Sequence, residues 1–174
     1  MTKTEFESVV RKNQKMVYGI ASSFFHNDAI AEDVAQDVFL NLYRHRDTVQ
    51  IGAHCVSWLR RSTIHRCIDV LRRASFRQEI QVENLPEIPA NIAEADPLLH
   101  EHLRRLVASL PESPRAVFVL RFGEDMDVED ISKTLQMPVR TVWSHLQRGT
   151  ALIRAKSERY RKEMENESIR TRSS

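Results

Sequence analysis

Apolar residues recur at helical spacing along most of the chain. Phe6, Val9, Val10, Val17, Ile20, Ala21 and Phe24 keep steps of three and four, which predicts one amphipathic helix over residues 4–25. Over residues 29–44, Ala31, Val34, Ala35, Val38, Phe39, Leu42 and Tyr43 form one continuous apolar face. Asn27 or Asp28 is placed to cap that helix. A third helix is predicted over residues 57–73. In the second half, Leu98, Leu99, Leu103, Leu106, Val107 and Leu110 are helically spaced, and Pro111 closes the run. Pro114 sits early in a helix holding Val117, Phe118, Leu120 and Phe122, which Gly123 can end. Asp127 is placed to cap Val128–Leu135, and Gln136-Met137-Pro138 leads into a last helix from Val139 onward. Two short helices joined this tightly form a helix-turn-helix pattern. No strand-like alternation and no internal repeat is present.

All six prolines lie beyond residue 85, so the first half is free to form long helices. The stretch Glu79–Pro97 is acidic, proline-bearing and without periodicity, and reads as a linker. The expected fold is therefore all-α: two small helical domains joined by an acidic flexible linker. Each unit has roughly 75 residues, too few to bury a large core of its own.

The 174 residues carry a net charge of only +2, which on its own speaks against a nucleic-acid binder. The charge is, however, sorted along the chain. Residues 44–77 hold eight basic and two acidic residues; residues 78–101 hold six acidic and no basic ones. Residues 139–162 hold seven basic and one acidic, and residues 28–37 hold four acids and no base. No apolar run approaches the roughly 18 residues of a membrane span, so membrane insertion is not expected. The start, Met1 to Glu5, has no apolar stretch behind it, so a signal peptide is not expected. Cys55 and Cys67 form neither a CxxC pair nor a disulfide framework, which points to a reducing cytoplasm. The seven histidines are scattered, and no catalytic constellation, metal-ligand spacing or phosphate-cradling glycine cluster suggests a catalytic residue, metal or cofactor.

Three faces are candidates for function. On the second helix, Asp33, Gln36, Asp37 and Leu40 lie opposite the apolar face, as either a solvated stripe or a docking site for a basic protein surface. On the third, Trp58, Arg61, Ser62, His65, Arg66, Asp69, Arg72 and Arg73 share the polar half. A tryptophan among arginines suits single-stranded DNA, whose bases stack on aromatics while arginines follow phosphates. The alternative is that Trp58 tucks under the preceding segment as core. On the last helix, Arg140, Ser144, Gln147 and Arg148 point outward, with Thr141 and His145 at one flank; Val139, Val142, Leu146, Gly149 and Ile153 point inward. That face suits a major groove, or else is simply solvated. The continuation Arg154–Lys162 is basic apart from Glu158, and either extends along DNA or stays solvated.

Three segments together resemble the extracytoplasmic-function (ECF) sigma factors, the two-domain form of the bacterial sigma-70 family. They are Ala31 to Leu40, Trp58-Leu59 with Ile68 to Arg73, and Leu110 through Arg148. The resemblance implies sigma domain two over residues 1–76, a linker over 77–97, sigma domain four over 98–160 and a charged tail over 161–174. It implies no enzymatic activity but binding to core RNA polymerase, through the beta-prime clamp helices and the beta subunit, and to promoter DNA. Asp33, Gln36, Asp37 and Leu40 would meet the clamp helices. The Trp58 helix, with the segment at about residues 46–56, would open and hold the minus-ten element. The last helix would read the minus-thirty-five element. The family also brings a further partner class, the anti-sigma factors that hold many of its members. The chain departs from the family's pattern at His65, where asparagine is usual, and at Trp143 and His145, where lysine and arginine are common. A stand-alone helix-turn-helix repressor or activator is the competing reading; it leaves the acidic stripe and Trp58 without a role.

Overall fold

The structure is a computed structural model that describes the backbone of residues 1–76 and 97–172, with the side chains of residues 1–74 and 103–159. The expected linker, apart from Pro97, lies outside the described residues. Among the described residues seven α-helices follow in order: α1 (Lys3–Phe25), α2 (Asp28–Arg44), α3 (Ala53–Phe76), α4 (Pro97–Ala108), α5 (Glu112–Phe118), α6 (Val128–Leu135) and α7 (Val139–Arg172). One π turn, Val119–Gly123, lies between α5 and α6. Among the described residues no helix is long and apolar enough to cross a membrane.

Local chemistry explains most boundaries. Thr2 and Glu5 form a capping box at the start of α1, and the Asn27 side chain accepts from the Ile30 N–H at the start of α2. Asp127 accepts from the Asp130 N–H at the start of α6. The expected start of the third helix moves. α3 begins at Ala53 rather than residue 57, because Gly52, at φ 110°, turns the chain and its carbonyl takes the Val56 N–H. Cys55, buried at 2% exposure, anchors that added turn. α7 runs unbroken past residue 160, since no glycine or proline interrupts residues 150–172.

The larger difference concerns the core. Instead of two separate small cores, one continuous cluster runs from Val17, Ile20 and Phe24 of α1 through Ile64 of α3 to Leu110, Val117, Leu120 and Ile131 of the second unit. α1 packs on α2 and α3 on one side and on α4 and the π turn on the other. Each unit is too small to bury its apolar faces alone, and pooling them removes more surface from water. Val139, expected on the inner face of the last helix, is instead exposed at 38%, because it stands in the first turn at the edge of that face; Leu103 and Phe122, part of the apolar spacing, are exposed at 44% and 68%.

A charged residue at the seam ties the two units together. Arg115 of α5 is 7% exposed. Its Nε and Nη2 donate to the Leu110 carbonyl at 2.9 and 2.6 Å, and its Nη1 donates to the Phe24 carbonyl at 3.2 Å. Its guanidinium also lies 5.1 Å from the centre of the Phe24 ring. Phe24 lies in the last turn of α1, where carbonyls lack helical partners and a cation is favoured. Burial lowers the Arg115 pKa to about 10, with Cys67 and Glu112 opposing, so the group stays charged at neutral pH.

Removing that side chain strands two carbonyls. Hydrogen bonds from a charged donor contribute about 1.5–3 kcal/mol each. Arg115→Ala is therefore expected to lower the urea-unfolding free energy by about 3 kcal/mol, and a change below about 1 kcal/mol would refute the bridging role. Gly149 gives a second test. A Cβ there would lie 2.5 and 2.8 Å from atoms of the Phe118 ring. Overpacking of this kind costs about 1–3 kcal/mol, against up to about 1 kcal/mol gained in helix propensity. Gly149→Ala should thus be net destabilising in the same assay, and Phe118→Leu in that background should recover part of the loss.

Candidate nucleic-acid interface

Two residues of the α2 stripe, Gln36 and Leu40, border something larger, where the acidic lining residue is Glu32 rather than Asp33 or Asp37. Asp33, Gln36 and Leu40 are exposed, Leu40 at 54%. Gln36 and Leu40 border an apolar groove of about 830 Å³ between α1 and α2, with Phe6, Val10 and Tyr18 opposite and Phe39 and Tyr43 along its floor. Phe6, Val10, Phe39 and Tyr43 were expected to be core. They are not needed there, because Val9, Val17, Ala31, Val34, Val38 and Leu42 already fill the contact between the helices. The surplus apolar face is left open to the surface. The missed signal was its width: both helices carry more adjacent apolar positions than one packing contact can cover.

Asp37 differs from its neighbours. Its carboxylate accepts from Arg66 of α3, Nε at 2.8 Å and Nη2 alongside. The structure thus pairs two residues that were assigned to different faces. This ion pair borders a polar cleft of about 370 Å³ between α2 and α3, lined by Asn41, Arg44, Ser62, His65, Arg66 and Asp69. Residues 46–52 do not line it. Desolvation by the surrounding helices, then the neighbouring Arg61, hold the His65 imidazolium below its usual range, with Asp69 opposing. At neutral pH the ring is therefore uncharged and offers one donor and one acceptor, as an amide side chain does.

Trp58 meets both expectations in part. It is half-buried and packed against the core, with its ring 6.2 Å from that of His45. Three arginines of α3 reach the second unit. Arg61 donates to the Gln136 side-chain carbonyl. Arg72 makes a two-pronged contact with Glu112, at 2.9 and 2.6 Å. Arg60 donates from Nε and Nη2 to Glu124, each at 3.2 Å. Bonding to Arg72 lowers the Glu112 pKa, whereas burial raises that of Glu124 despite Arg60. Glu112, Glu124 and Gln136 had no role in the sequence reading, because nothing in their spacing marks them as partners of α3.

The helix-turn-helix forms as expected. Gln136 makes its turn in the left-handed conformation, φ 53°, and donates its N–H to the Ser132 carbonyl. On α7, Val142, Leu146 and Gly149 are buried. Arg140, Ser144, Gln147 and Arg148 are exposed, with Thr141 and His145 intermediate at the flank. Desolvation and Arg148 lower the His145 pKa, so this ring too is neutral at pH 7. Ser144 donates its hydroxyl to the Arg140 carbonyl at 3.0 Å. Farther along, Lys156 neither extends outward nor stays fully solvated. Its Nζ donates to the Ser109 carbonyl and hydroxyl at 3.2 and 2.6 Å, fastening α7 to the turn after α4.

Comparison with known proteins agrees with this layout. Residues 9–77 match the family model for Sigma-70 region 2, and residues 100–153 match that for Sigma-70, region 4. The chain is 31% identical over 158 residues to the ECF RNA polymerase sigma factor SigE of Mycolicibacterium smegmatis, covering 86% of this chain and 60% of that one. It is 24% identical over 166 residues to the ECF RNA polymerase sigma factor SigW of Bacillus subtilis, covering 86% and 87%. It is similar in fold to the sigma factor RpoE of Bartonella quintana, solved with the anti-sigma factor NepR. The TM-score is 0.67 at 17% identity, over 87% of this chain and 95% of that one. It is likewise similar to CnrH, solved with the cytosolic domain of CnrY, at a TM-score of 0.63 and 20% identity over 90% of each. With a region 2 match on the unit that carries Trp58 and a region 4 match on the helix-turn-helix, the chain belongs to the sigma-70 family, among the ECF RNA polymerase sigma factors.

Proposed function

We propose that the chain is a transcription-initiation subunit, acting in the cytoplasm, that binds core RNA polymerase and directs it to one class of promoter without catalysing a reaction. The observation that carries this reading is an adjacency within one unit. An apolar groove bordered by Glu32, Gln36 and Leu40 shares α2 with a polar cleft lined by Ser62, His65 and Asp69 of α3, the helix that also bears Trp58. A stand-alone helix-turn-helix regulator uses neither feature. In this reading Asp33, Gln36 and Leu40 meet the beta-prime clamp helices, with Phe6 and Tyr43 widening the contact. Trp58, Ser62, His65 and Asp69 hold the melted minus-ten strand, and the cleft accepts a base taken out of the stack. Arg140, Thr141, Ser144, His145, Gln147 and Arg148 address the minus-thirty-five duplex.

Arg61, Arg66 and Arg72 already have protein partners, so their part in DNA binding is an exchange: phosphates replace Gln136, Asp37 and Glu112. Arg72 and Glu112 meet in a solvent-exposed pair, which is weak enough to give way. A proteinaceous inhibitor of the anti-sigma class is a further partner in this reading, supported by the complexes in which both structural relatives were solved.

The test is transcription in vitro. Promoter-specific transcripts should appear only when core enzyme and the chain are combined. Tight, specific duplex binding by the chain alone, with no association with core enzyme, would overturn the reading. Asp33→Arg combined with Leu40→Asp should weaken core association at least tenfold in a pull-down titration while leaving the unfolding midpoint unchanged. Asp37 is a poorer probe because its substitution also releases Arg66. Acid stability gives a further test. The lowered His65 pKa means that the unfolded chain takes up this proton first as the pH falls below about 6.5. Stability is therefore lost on acidification through that range, and His65→Asn should lose less than the wild type between pH 7.5 and 5.5 in urea titrations.

A further inference from the structure

The outward face of α7 is not uniformly polar. Trp143 is 54% exposed and stands one turn from both Arg140 and Gln147. Val139, one turn before it, is 38% exposed. At 100° per residue, Val139 and Trp143 form one edge of the outward face, and Arg140, Ser144, Gln147 and Arg148 cover the rest. All lie in the first turns of the helix, the part of a recognition helix that reaches base edges.

The chemistry of the groove limits what such an edge can read. Among the base edges that face the major groove, the apolar group is the C5 methyl of thymine; the others are donors and acceptors. An indole placed against adenine, guanine or cytosine loses water and regains at most one hydrogen bond from its N–H. Placed against thymine, it removes a methyl group from water as well. We propose that Trp143, backed by Val139, is a specificity-determining residue that selects thymine within the minus-thirty-five element. This rests on α7 reading that element, as proposed above. Because the contact involves no cation, it releases no counterions and leaves the salt dependence of binding unchanged.

The test uses holoenzyme assembled from the full chain and core RNA polymerase. Wild type, Trp143→Ala, Trp143→Phe and Arg140→Ala each select from duplexes randomised upstream of a fixed minus-ten element. Each thymine of the sequence enriched by the wild type is then replaced singly by deoxyuridine, which deletes only the methyl. Trp143→Ala is expected to lose a thymine preference at one or two neighbouring positions, and Trp143→Phe to keep it. Deoxyuridine there should weaken wild-type binding about fourfold, the factor that corresponds to about 0.8 kcal/mol per buried methyl-sized group. It should leave Trp143→Ala unaffected. The proposal is overturned if deoxyuridine affects neither protein, or affects both equally. Weaker binding by Trp143→Ala with an unchanged base preference also overturns it, and assigns Trp143 to a protein contact or to folding. If Arg140→Ala shifts the enriched sequence and Trp143→Ala does not, this proposal alone falls. If the wild type enriches no sequence, the assignment of α7 to the minus-thirty-five element falls with it.

Discussion

The arrangement of the two units turns on a buried guanidinium. Arg115 carries a full charge into the seam, and a buried charge is tolerated only where its donors are satisfied. The Leu110 and Phe24 carbonyls meet that demand from opposite sides, one from the corner before α5 and one from the end of α1. α5 is thereby fixed against the first unit, with Val117 and Leu120 alongside in the shared core. The same contact sets where the rest of the helix-turn-helix stands, because α7 packs on α5 through Gly149, whose missing side chain admits the Phe118 ring.

Around that anchor the contacts between the units are polar and of graded strength. Arg60 and Glu124 are shielded, and burial works against the Glu124 charge even as Arg60 supports it. Arg72 and Glu112 meet in solvent, where water screens the attraction. Arg60, Arg61, Arg66 and Arg72 of α3 therefore have carboxylate or amide partners in this conformation, oxygen acceptors chemically similar to DNA phosphates. A surface that exchanges one set of acceptors for another avoids leaving a basic face unpaired while it has no nucleic acid to bind. The apolar groove between α1 and α2 lacks any such stand-in among the described residues lining it, which fits a surface built for a protein partner.

Much of this was legible in the linear pattern, for specific reasons. Caps at Asn27 and Asp127, prolines at 111 and 114, and helical spacing place α2, α6 and the start of α5 within a residue or two, because these signals act over a single turn; the expected run to Gly123 instead leaves the α form after Phe118 as a π turn. The outward residues of α7 follow from periodicity alone, since Val142, Leu146 and Gly149 have nowhere else to go but inward. The sorting of charge behind a net of +2 was legible as well, and it separates the basic α3 and α7 from the acidic start of α2. The start of α3 was misplaced because Gly52 acts through a backbone angle that composition does not reveal. Neither expectation for Lys156, along DNA or solvated, foresaw its contact, because its partner, Ser109, lies 47 residues away.

The sequence by itself determined the helices, their apolar faces and the identity of the family, because each depends on neighbours along the chain. Only the tertiary structure decided that the two units share a core, that Asp37 belongs to Arg66, and that Phe6 and Phe39 line a groove rather than fill an interior. It also decided that Trp143 faces outward. Those outcomes depend on which surfaces meet across long separations. A helix with more apolar positions than one contact can cover does not say which of them will be left in water.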